Sequence, residues 1–111
     1  MEIQATPYKR CTLVKVTGRI DSDTSPTLKD TLQKITGEGI YKIVFDMSEI
    51  EFISSAGIWV LMETQKACKR WNRGEMVLTT PNENMERTLE LSGAKHFFKV
   101  FDDITAGVGS F

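Results

Sequence analysis

The chain has 111 residues, with 14 Lys+Arg against 15 Asp+Glu, a net charge of −1 and 41% hydrophobic residues. That length is one ordinary domain, 1–111, able to bury roughly 65% of its unfolded surface without disulfide or metal staples. The balance of charge offers no concentrated basic patch for nucleic acid or an anionic membrane. No apolar run approaches the ~20 residues that cross a bilayer.

The N-terminus MEIQATPYKR has no basic-then-apolar signal pattern, so a cytoplasmic protein is expected. The two cysteines, Cys11 and Cys68, lie far apart in apolar surroundings. They read as small core fillers, not as a metal or redox pair, and no metal-ligating set is identified.

In chain order, residues 1–6 read as a strand closed by Pro7 and paired with the next. Residues 11–17 mix β-branched and apolar side chains and read as a strand ending at Gly18. Ser25 and Pro26 predict a helix start, with serine as cap and proline at the first helical position. Leu28, Leu32 and Ile35 would bury one stripe before a stop at Gly37 or Gly39. Residues 42–46, KIVFD, form a short apolar run of the kind covered on both faces in a central strand.

A helix is predicted from Gly57 to about Trp71. Val60, Leu61, Thr64, Ala67, Cys68 and Trp71 lie on its core face, and Glu63, Lys66 and Arg70 on the other. Lys66, Lys69, Arg70 and Arg73 read as a solvated basic face. Residues 76–79 give another buried strand. Thr80-Pro81-Asn82-Glu83 reads as a capping box opening a helix to about Leu91, closed by Ser92-Gly93. Val100-Phe101 is a last short strand, followed by a short tail or helix over 102–111. The order β-β-α-β-α-β-α-β predicts an α/β fold, with a mixed sheet of about four to five strands and three to four helices.

Residues 54–61, SSAGIWVL, are the most distinctive stretch. Two hydroxyls stand where a strand gives way to a helix, at a terminus with unpaired N–H groups and about half a positive charge. One serine suffices as a cap, worth about 1 kcal/mol over alanine. The second is then a cap without necessity, a phosphorylation site whose anion the helix end can receive, or a nucleophile. The nucleophile is rejected. A G-x-S-x-G elbow requires glycine where Ile53 stands, and nothing ties the only histidine, His96, to Ser55.

The segment Ile43-Val-Phe-Asp-Met-Ser-Glu-Ile-Glu-Phe-Ile-Ser-Ser-Ala-Gly-Ile58 resembles the signature of STAS domains, the sulfate transporter and anti-sigma factor antagonist domains. Thr17-Gly-Arg-Ile-Asp21 with Thr24 is similar to the family's loop before its first helix. Gly74-Glu-Met-Val, Pro81 and Leu91-Ser-Gly93 are similar to its later strand and helix. These three matches in order span about 90 residues and point to the small bacterial antagonists (core about 2–101).

The resemblance implies partner switching. Such a protein binds an anti-sigma factor that is also a serine kinase, and phosphorylation at the start of the second helix ends the complex. A PP2C-type phosphatase restores it. By motif position the phosphorylated residue is Ser55, with Ser54 the second choice. ATP and Mg belong to the kinase, so the resemblance implies a non-enzyme without cofactor, acting as a monomer or weak dimer. The partner-binding set implied comprises Asp21, Ser22, Thr24, Ser54, Ala56, Gly57, Ile58, Trp59 and Met62.

Two departures stand out: Ser54 where many relatives carry Asp, and Trp59 where glycine or arginine is usual. The helical phase puts Trp59 with Met62 and Lys66, away from the predicted core face, so Ile58, Trp59 and Met62 are expected to form an apolar partner patch. Two alternatives stay open. One is a STAS regulatory or accessory subunit with another partner, in another response system or a lipid-transport complex. The other is a scaffold whose serines only cap.

Overall fold

The apolar run at 42–46 becomes the middle of the sheet in the computed structural model, which describes residues 1–111. The strands are β1 (Glu2–Pro7), β2 (Thr12–Ile20), β3 (Lys42–Asp46), β4 (Ile50–Ile53), β5 (Glu75–Thr79) and β6 (Val100–Phe101). The helices are α1 (Ser25–Gly37), α2 (Ser55–Lys69), α3 (Glu83–Ser92) and α4 (Ile104–Gly109). The sheet runs β1-β2-β3-β5-β6, with β4 also on β2. Only β1 is antiparallel to its neighbour.

Alternation along β3 explains its composition. Ile43 and Phe45 join the main core, and Val44 joins a smaller cluster on the opposite face with Cys11 and Val77. Leu28, Leu32 and Ile35 of α1 and Val60, Leu61 and Cys68 of α2 fill the main core. Phe101, Val108 and Phe111 pack against the smaller one. Both faces of the centre are therefore dry, as a parallel strand requires.

Several expectations shift. The sheet has six strands, because the short β4 follows β3 after a turn at 47–49. It resumes pairing with β2 through Gly18, Arg19 and Ile20. Gly18 consequently does not end β2. It sits at φ 106 beside a register shift, a conformation open to glycine, and β2 runs on to Ile20. The α1 cap is Thr24, with Ser25 already inside the helix.

The α3 cap is Asn82 and not Thr80. Its side-chain oxygen accepts from Met85 N–H at 3.0 Å, and its amide donates to Ile50 O at 2.9 Å. Thr80 lies at φ 51, outside the helix. Its hydroxyl donates to Asp46 Oδ1 at 2.7 Å, which holds the left-handed backbone in place.

Trp71 departs furthest from expectation. α2 ends at Lys69, and Trp71 and Asn72 both take φ 55 in a 3-10 turn, which throws Trp71 outward to 76% exposure. Arg73 leaves the predicted solvated face as well. Its guanidinium stacks over Tyr41 at 3.8 Å, faces Trp71 at 5.2 Å, and donates to Tyr41 Oη and to Ala67 O.

Gln65 takes the core place that periodicity gave to Ala67, and the sequence reading passes it over. It is 5% exposed, and its side-chain oxygen accepts from Met76 N–H at 2.7 Å. Its amide donates to Met76 O at 3.1 Å and Phe97 O at 2.8 Å. β6 pairs only with Leu78 and Thr79, so the open side of β5 at Met76 is closed by a side chain instead of a strand. Gln65→Ala leaves these backbone groups unpaired at about 1–3 kcal/mol each. With three such groups, a total loss of at least about 3 kcal/mol is expected in urea unfolding, against less than about 0.5 kcal/mol for exposed Lys66→Ala.

Candidate functional site

Three loops converge where the parallel strands end: β2 into α1, β4 into α2, and β5 into α3. Open α/β sheets use this edge for recognition. The first two are joined by Ser54 N–H donating to Ile20 O at 2.8 Å. Asp21 follows Ile20, and Ser55 follows Ser54, so each lies one residue beyond that bond.

At the start of α2 the two serines do different things. Ser54 is the cap, with an extended backbone (φ −81, ψ 171), and its Oγ accepts from Gly57 N–H at 3.2 Å. Ser54 O accepts from Ile58 N–H at 3.0 Å. With α2 starting two residues before the expected Gly57, Ser55 is the first helical residue. It is exposed, and its hydroxyl has no partner within the protein. An anion carried on it would meet the positive end of a 15-residue helix.

Gly57, expected in the partner-binding set, does not face solvent. It is buried, and a Cβ there would stand 2.6 Å from Ile20 Cγ2 and 2.7 Å from Ile53 Cγ1. The missing side chain lets the first turn of α2 seat directly on β2 and β4. Ile58 is 6% exposed and part of the core, so it leaves the expected surface patch. Ala56 is exposed. Trp59 is 61% exposed with its indole N–H donating to Glu63 Oε1 at 2.9 Å, and Met62 is half-buried against the core.

In the neighbouring loop, Asp21 Oδ1 accepts from the N–H groups of Asp23 and Thr24, each at 3.0 Å, and faces the Thr24 hydroxyl at 3.1 Å. Thr24 Oγ1 in turn accepts from Asp21 N–H at 2.9 Å. The Thr24 N–H is the main cause holding the Asp21 carboxyl below its ordinary pKa. The Thr24 hydroxyl, the Asp23 N–H and the Arg19 charge add to it, against an opposing desolvation. Asp21 is therefore an anion throughout the neutral range. Ser22 is exposed beside it.

The sequence reading missed Phe52 and Arg19. Phe52 is 40% exposed, and the Arg19 guanidinium lies over its ring at 4.6 Å. The available signal was two exposed residues, Glu51 and Phe52, between buried Ile50 and Ile53, a pattern without strict alternation that left β4 unpredicted. His96 is exposed in the turn Ala94–Phe97. Both cysteines are buried and free, and burial raises both thiol pKa values, Cys68 to about 11 against an opposing Arg73 charge.

The family model described as the STAS domain matches residues 2–106. The Staphylococcus aureus protein named anti-sigma-B factor antagonist is 25% identical over 100 residues, 90% of this chain and 92% of that one. Among solved structures, an anti-sigma factor antagonist from Mycobacterium paratuberculosis has a TM-score of 0.88 at 20% identity, covering 98% of this chain and 92% of that one. The Bacillus cell fate determinant SpoIIAA in its phosphorylated form has a TM-score of 0.72 at 14% identity, covering 95% and 96%. The two structures share the fold, and the family model spans both joined loops and the capped start of α2: the chain belongs to the STAS domain family.

Proposed function

We propose that the chain is a cytoplasmic anti-sigma factor antagonist in a partner-switching pathway. It binds an anti-sigma factor that is a serine kinase, and phosphorylation of Ser55 ends the complex. A PP2C-type phosphatase reverses the modification. ATP and Mg serve the kinase, and this chain acts as its substrate and ligand. The observation that carries the reading is the division between the two serines. Ser54 Oγ is engaged by Gly57 N–H, and the exposed Ser55 hydroxyl is free to react. The relatives named as antagonists, and the phosphorylated form of a protein sharing the fold, support it.

The energetics favour a switch at this point. The helix end stabilises a phosphate on Ser55 by about 0.3–1 kcal/mol in the free protein. Burial of the same dianion against an apolar or acidic partner surface costs several kcal/mol. Each 1.4 kcal/mol is about tenfold in affinity, so one modification separates bound from free. Asp21, anionic in the joined loop, adds like charge. Ser22, Thr24, Ala56, Trp59 and Met62 complete the proposed contact surface. Gly57 and Ile58 act beneath it, by seating the helix.

Incubation with Mg-ATP and a kinase-type anti-sigma factor is expected to place one phosphate on Ser55, mapped by mass spectrometry and absent from Ser55→Ala. Phosphate on Ser54, or none with any such kinase, overturns the assignment. A second expectation concerns pH. A depressed folded-state pKa contributes stability above the unfolded value, near the ordinary 3.8, and loses it as pH falls through the folded value. Asp21→Asn is therefore expected to be less stable than the parent at pH 7. The difference should vanish in acid, and a carboxyl NMR titration should place the Asp21 midpoint below 3.8.

A further inference from the structure

A groove of about 850 Å³ runs beside α2 toward the 3-10 turn Ala94–Phe97, away from Ser55. Its apolar side is Trp59, Met62 and Phe97, with Trp59 61% and Phe97 53% exposed. Its far end is lined by Lys66, Lys69 and Arg70. The two ion pairs of the protein, Lys29–Glu63 and Lys99–Glu75, use none of these three cations. Cations suit a helix C-terminus, but that does not account for two aromatic side chains left bare beside them.

We infer that this groove is a docking surface for an acidic amphipathic helix of a partner protein. Positions 59, 62, 66 and 69 follow the repeat of α2 and extend about 15 Å, nearly three turns of a facing helix. The apolar end and the cationic end together select an occupant with an apolar stripe and carboxylates beside it. The groove is concave, which suits a helix and not a flat bilayer. Helical elements form its walls, so no sheet edge offers its backbone to an added strand. The Trp59–Glu63 hydrogen bond holds the indole along the helix before anything binds, which lowers the ordering cost. The groove shares Trp59 and Met62 with the proposed contact surface around Ser55, but the inference does not require that Ser55 be phosphorylated.

The test is a titration of the isotope-labelled full chain with a synthetic three-turn peptide carrying leucines along one stripe and glutamates beside them. A scrambled peptide of the same composition serves as control. Saturable NMR shifts confined to residues 59–70 and 94–97 are expected. Affinity should fall at least tenfold in Lys66→Glu/Lys69→Glu and in Phe97→Ala, and should be unchanged in Ser55→Ala. Far-UV circular dichroism checks that each variant is folded. Equal binding of the scrambled peptide, or no shifts at all, overturns the inference. So do the same shifts produced by phosphatidylglycerol vesicles, by laurate, or by concentrating the protein alone.

Discussion

The close seating of α2 on β2 and β4 at Gly57 is the contact on which the candidate site depends. A Cβ at that position would overlap Ile20 and Ile53, so the first turn can approach only without one. Seated there, α2 brings Ser54 N–H to Ile20 O and welds the two loops into one surface. Any larger residue at 57 would lift the helix start and separate Asp21 from Ser55, leaving the sheet itself intact.

That seating also settles which serine is free. The cap must have an extended backbone and direct its oxygen at the first turn, and Ser54 meets both conditions. The next residue is then inside the helix, with its side chain outward. A turn with a single serine would have to choose between capping and reactivity. Two adjacent hydroxyls let one cap the helix while the other stays exposed. On the proposed function, the same geometry would make a phosphate tolerable to the free fold and costly to a closed interface, which is the asymmetry a switch requires.

The framework behind the site is held by polar groups working inside an apolar core. Gln65 substitutes for a missing strand beside Met76. Asp46 holds Thr80 in its left-handed turn and accepts from Ser48 N–H at 2.9 Å, and Asn82 ties α3 to β4. These bonds position the edge of the sheet from which the loops emerge. The rest of α2 carries a different surface. Beyond its first turn the exposed side passes from Trp59 to a cluster of cations, so one helix presents an exposed serine at its start and an amphipathic flank.

The sequence by itself determined the order of the main elements, the central strand, the helix start at the paired serines, and the family. These follow from local patterns: continuous apolar runs, cap residues and a motif with fixed spacing. It could not reveal β4, whose four residues pair with the far end of β2. It also misplaced Trp71, because helical periodicity assumes the helix continues, and α2 stops two residues earlier against the Arg73–Tyr41 stack. Ile58 and Gly57 read as surface from the motif alone. Only packing makes them interior: Gly57 seats against Ile53 and against Ile20, which lies more than 30 positions away, and Ile58 enters the main core. Long-range contacts of this kind leave no periodic trace in the chain, so tertiary structure alone decided which parts of SSAGIWVL face solvent and which hold the helix down.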